Sequence, residues 1–129
     1  MANTFAPFGF SQNRGNGSAP TYEQRVRKIA SDNATAIFAG DPVTTLSTGY
    51  IAQSPPGTTQ IAGIFVGCKY LSTALQRTVW SPFWPGSGAT GDVEAYIVND
   101  PNAQFVAQVG GSSSTGIVFA DIGANVNFA

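Results

Sequence analysis

Ile61-Ala62-Gly63-Ile64-Phe65-Val66-Gly67-Cys68-Lys69-Tyr70-Leu71 is the longest apolar run in the chain, and its reading decides the fold. It is rich in β-branched and aromatic residues, so it reads as a central strand. Gly63 and Gly67 inside it point to a bulge or to close backbone approach. Outward from this run the same signal recurs. Ala36–Ala39 is a short apolar run ended by Gly40-Asp41-Pro42, and Val43–Ala52 is β-prone up to Pro55-Pro56-Gly57. Leu75–Trp80, Val93–Val98, Ala103–Val109 and Ile117–Ala120 read as further strands. Trp80–Gly88 reads as a loop, because its prolines and glycines do not sustain a ladder. Short strands with a turn signal about every ten residues predict an all-β body, a small β-barrel or a jelly-roll-like β-sandwich, over residues 36–129.

Residues 1–35 read differently, as an extended N-terminal arm with one short helix. Asn13–Ser18 is turn chemistry without periodicity. Residues 21–31 are expected to be the helix: Thr21 and Gln24 have capping-box spacing, and Tyr22, Val26 and Ile29 recur at helical intervals. Four of the six basic residues, Arg14, Arg25, Arg27 and Lys28, lie in this arm; residues 1–31 carry a net charge of +3 against −4 for residues 32–129. Phe5, Phe8 and Phe10 are large apolar groups in the arm's irregular part. They either fold back on the chain's own core or dock on a partner.

Composition narrows the function classes. In 129 residues there is no histidine and one cysteine, Cys68. A Ser-His-Asp triad, a Cys-His pair, an internal disulfide and a cysteine-rich zinc site are therefore all excluded. The net charge of −1 argues against a general nucleic-acid binder. No apolar stretch of about 18 residues reads as a membrane span, and Met1–Phe5 shows neither the basic n-region nor the apolar h-region expected of a signal peptide. Only 10% of residues are charged, against about 25% in an average soluble domain. So little charge is the composition of surface that becomes covered, and it points to an assembly.

No motif assembles catalysis. Asp92 and Glu94 have the spacing of neighbours on one strand face, a pair suited to acid/base work or a hard cation but more simply a polar face. Gly86–Gly91 lacks the Gly-Lys-Ser/Thr ending of a phosphate loop. Cys68, in the most apolar run, reads as a buried, inert thiol. Trp80, Phe83 and Trp84 on a proline-stiffened loop are open to three readings: core cover, protein interface or sugar stacking. No catalytic, cofactor-binding or metal-ligating residue is assigned, and no enzyme activity is expected.

Several segments matter as an ordered set: Ala36-Ile37-Phe38-Ala39-Gly40-Asp41-Pro42-Val43, Gly63–Tyr70, Ser81-Pro82-Phe83-Trp84-Pro85, Asn99–Phe105 and Asp121-Ile122-Gly123-Ala124-Asn125. In this order they resemble a family of small tailed-phage structural proteins, the capsid decoration or cement proteins, over roughly residues 34–127. The resemblance implies a β-rich protein on the outer surface of the virion head. Its partner would be the major capsid protein, whose adjacent subunits it would clamp. Self-association as a dimer or trimer is expected alongside. The partner-facing residues are then expected to be Phe5, Phe8, Phe10, Arg14, Arg25, Arg27, Lys28, Trp80, Phe83 and Trp84. The alternative is a carbohydrate-binding or adhesion β-sandwich that uses the Trp80/Trp84 loop.

Overall fold

The computed structural model describes residues 6, 8–13, 23–58, 60–109 and 117–125. The protein is mostly β, with antiparallel sheets and, among the described residues, no α-helix. In chain order the strands are β1 (Ser11–Asn13), β2 (Arg25–Ile29), β3 (Ile37–Phe38), β4 (Pro42–Thr45), β5 (Ile51–Gln53), β6 (Gly63–Ser72), β7 (Arg77–Ser81), β8 (Phe83–Trp84), β9 (Val93–Val98) and β10 (Gln104–Val106). The main sheet has six strands, ordered β2-β9-β6-β4-β5, with β7 also paired to β6. β1 pairs with β10 and β3 with β8 in two small ribbons.

β6, the decisive run of the sequence, organises everything else. One of its edges is taken by β9; the other is shared by β4 near Gly63 and Ile64 and by β7 from Cys68 to Ser72. The register against β9 slips by one residue between Phe65 and Gly67, so Val66 is a bulge. The bulge brings Phe65 and Cys68, three positions apart, to the same buried face. There they join Ile29, Ile37, Val43, Ile51, Trp84, Val93, Ala95 and Ile97 in the core. Both glycines of the run stand where backbone comes close. A Cβ on Gly63 would sit 2.6 Å from the Val98 carbonyl oxygen, and one on Gly67 would sit 3.0 Å from that of Ser81. β5 and β2 lie at opposite ends of the strand order, yet they come into contact, so the sheet curls around the core. Among the described residues it does not close by hydrogen bonding into a barrel.

Four expectations are corrected. The helix over 21–31 is not formed: Arg25–Ile29 is a strand, paired residue for residue with β9 from Ile97 to Val93. An eleven-residue helix is marginal alone, and here the ladder offered by β9 outweighs a weak local preference. Thr21 and Tyr22, two of the five residues behind the supposed helical signal, lie outside the described residues. With β2 inside the main sheet, the boundary between arm and body at residue 35 also moves, because residues 25–29 belong to the body. The loop Trp80–Gly88 contains β8. Two prolines, Pro82 and Pro85, bracket it and hold the ribbon to two residues. Ile117–Ala120 forms no strand; Phe119–Asp121 is a 3-10 turn in which the Asp121 carboxylate accepts the Val118 N–H at 2.9 Å.

The described part of the supposed arm also lies on its own chain. The Phe10 N–H donates to the Gly40 carbonyl at 2.9 Å, and the Gly40 N–H donates to Phe65 at 2.8 Å. Asn99–Asn102 turns the chain back, with the Asp100 carboxylate accepting the Asn102 N–H at 2.9 Å. β10 then meets β1, and Phe105 meets Phe10 edge to face at 6.3 Å.

Candidate functional site

Strand alternation divides the main sheet into a core face and an outer face. On the outer face the register sets Trp80 beside Lys69, Lys69 beside Glu94, and Glu94 beside Lys28. The Lys69 ammonium sits 3.1 Å from the Glu94 carboxylate and 5.1 Å from the centre of the Trp80 ring. Tyr96 lies opposite Gly67, which carries no side chain, and opposite Val26 on its other side. It stacks on Trp80 at 5.8 Å with the rings 8° from parallel. Trp80 nevertheless remains 68% exposed and Val26 56% exposed. Val66, Gly67, Trp80, Ser81, Pro82 and Tyr96 line a shallow groove here. Val66 continues it toward Phe10, Phe105 and Phe8.

A second aromatic pair lies on the β3–β8 ribbon. Ile37 and Trp84 face one way, into the core, so Phe38 and Phe83 face outward. They stack at 5.8 Å with 23° between planes, Phe38 being 54% exposed. Trp80, on the main sheet, and Phe83, on the ribbon, thus both stand exposed. Leu71, on the outer face of β6, does too.

Trp84 does not. It is fully buried, its Nε1–H donates to the Asn33 carbonyl at 3.1 Å, and Tyr70 packs edge-on against it at 5.5 Å. Of the three readings open for the loop, Trp84 takes core cover, and the sugar-binding alternative loses one of its two tryptophans. Phe10 is likewise engaged at home, whereas Phe8 is exposed. Phe5 and Arg14 lie outside the described residues. Arg25, Arg27 and Lys28 are brought together on β2, all exposed, with Arg25 3.3 Å from the carboxylate of Glu23. Sequence reading missed Tyr96, Val26, Phe38 and Leu71 as surface groups. The alternation of Val93–Val98 marks Tyr96 as opposite in facing to Ile97, but only the register brings it to Trp80.

The remaining chemistry is occupied. Asp92 accepts the Tyr50 hydroxyl at 3.1 Å while Glu94 pairs with Lys69, so the two carboxylates serve separate partners. The bond to Asp92, with its charge, raises the Tyr50 phenol above its ordinary value of 10.0. Among the described residues no three His, Cys, Asp or Glu side chains gather as metal ligands. No helix among them is long and apolar enough to cross a membrane.

The Cys68 thiol donates to the Phe83 carbonyl at 3.3 Å, and burial pushes its pKa from 9.0 up to about 11. A thiol this protonated is a poor nucleophile. At pH 8 the native protein should resist iodoacetamide and become alkylated only in urea, as mass spectrometry would show. Rapid native alkylation would contradict the burial. The raised value also carries a sign for stability. Below pH 9 the thiol's contribution is fully present, and it is lost as pH rises toward 11, because the unfolded chain gives up this proton first.

No protein-family model, curated protein or solved structure matches this chain.

Proposed function

We propose that the protein is a structural capsid decoration or cement protein, which binds the outside of a phage head and clamps adjacent subunits of the major capsid protein. The observation that carries this reading is the uncovered apolar surface of a weakly charged β body. Trp80, Val26, Leu71, Phe38, Phe83 and Phe8 are all exposed, in a chain with 10% charged residues. Surface of this kind is characteristic of protein that spends its life covered. The curled sheet and its two ribbons serve as an incompletely closed barrel, a rigid platform for these groups. Each contact to the shell can be modest, because many copies act on one particle. The sequence resemblance to phage decoration proteins supports the same class, and self-association as a dimer or trimer remains part of the proposal.

The anchor set is narrower than the sequence suggested. Trp84 and Phe10 are spent on the chain's own packing, which leaves Trp80, Phe83 and Phe8 as the aromatic anchors. The test is addition of the purified protein to expanded shells that lack it, imaged by cryo-electron microscopy. Ordered density on the outer surface at subunit boundaries is expected. Trp80→Ala should lower occupancy by about tenfold or more, as for a central interface aromatic, while the melting temperature falls by only about 5 °C. Shells that stay bare at saturating protein overturn the reading.

A further inference from the structure

The two end strands of the main sheet differ in charge. β5, Ile51-Ala52-Gln53, has none, whereas β2 holds three of the chain's six basic residues within four positions. β2 bonds to β9 along one edge; β5 comes into contact with β2 as the sheet curls, but among the described residues no strand pairs with its other edge. Arg25, Val26, Arg27 and Lys28 are exposed one after another, so side chains on both faces of the strand stand in the open. An edge of this kind presents N–H and C=O groups with hydrogen-bonding capacity to spare, a template for an added strand.

The charges decide what can be added. Alternation puts Arg25 and Arg27 on one face, and Lys28 with Val26 on the other. Among the described residues, Arg27 and Lys28 have no carboxylate in ion-pair contact. Antiparallel pairing of β2 with a second copy about Arg27 would set arginine directly against arginine. Like charges so placed destabilise a strand pair. The residues that discourage self-pairing therefore favour a chain with carboxylates at those positions.

We propose that the open edge of β2 is a strand-addition site for an extended acidic segment of a partner protein, with carboxylates beside Arg25, Arg27 and Lys28. Backbone bonds would supply the attachment and the three cations the selection. The identity of that partner as a shell subunit rests on the function proposed above; the edge chemistry itself does not.

Hydrogen–deuterium exchange on the full chain, free and bound to expanded shells, tests both. Exchange of the Arg25–Lys28 amides is expected to slow by about tenfold or more on binding. The variant Arg27→Glu, whose cross-strand neighbour is the uncharged Ala95, should bind about tenfold more weakly with an unchanged melting curve. Arg27→Lys should bind like the parent. Binding that leaves the β2 amides unprotected overturns strand addition and leaves the clamp standing. If shells do not bind at all, the clamp falls. A synthetic peptide of alternating Glu and Val then decides the edge: protection of the β2 amides by this probe upholds the proposal, and unchanged exchange at millimolar peptide overturns it.

Discussion

Trp84→Ala should destabilise the protein by about 3–5 kcal/mol, the usual cost of truncating a large buried aromatic. A domain of this size holds only about 5–15 kcal/mol in all, so the variant would be near the limit of folding. The reasons are local and additive. The indole is fully buried among core residues that include Ile37, its partner across the β3–β8 ribbon. Its removal leaves a cavity that the two-residue ribbon, held between prolines, is poorly placed to fill. It also takes away the donor to the Asn33 carbonyl and the edge-on contact with Tyr70. Thermal unfolding followed by far-ultraviolet circular dichroism should show a fall of about 10–20 °C. Trp80→Ala is the internal comparison. That ring is 68% exposed and rests on one face of Tyr96, so its loss should cost about 1 kcal/mol. Trp84→Phe, which restores most of the volume but no N–H, should fall between them. Equal losses for the two alanine variants would contradict the division between a core tryptophan and a surface one.

That division marks the limit of what the sequence discloses. The β class, the central run and the pair of strands that became β6 and β9 follow from composition and turn spacing. Glycine in the run pointed to a bulge or to close approach, and the run holds both. The bulge's consequence was hidden, however. Phe65 and Cys68 are out of phase for a regular strand, and only the slip at Val66 puts both inside. The helix over 21–31 failed for a related reason. Val26 and Ile29 are three apart, which suits one helical face, but on β2 they fall on opposite faces and only Ile29 is buried. No strand period is visible there, and what makes the segment a strand is the hydrogen-bonding capacity of β9, more than sixty residues away in the chain. The candidate surface was half legible. An aromatic loop was evident, but adjacent tryptophan, phenylalanine and tryptophan do not reveal which ring turns inward. Pairing with Ile37 and Phe38 settles it, and that pairing spans more than forty residues.

Gly63→Ala should have the second-largest effect, although it adds one methyl group. The added Cβ would lie 2.6 Å from the Val98 carbonyl oxygen and 3.2 Å from Ile97 Cδ1. A side-chain methyl can move aside, but a carbonyl in the β6–β9 ladder cannot without parting the two central strands. Gly63 is also the β4 contact point, opposite Val43, so a shift there disturbs both edges of β6 at once. Overpacking of this kind costs about 1–3 kcal/mol and occasionally more, and the backbone location puts this site at the upper end. Gly67→Ala provides the scale: its nearest contact, the Ser81 carbonyl oxygen, is 3.0 Å away, at the end of β7 where the chain leaves the sheet and has room to yield. Urea midpoints should therefore rank parent above Gly67→Ala above Gly63→Ala. A Gly63→Ala protein with the parent's midpoint would mean that β6 and β9 do not approach as described. Because β9 carries Tyr96 and is the strand on which β2 hangs, the proposed function has the same variant lose shell binding in proportion to its unfolding.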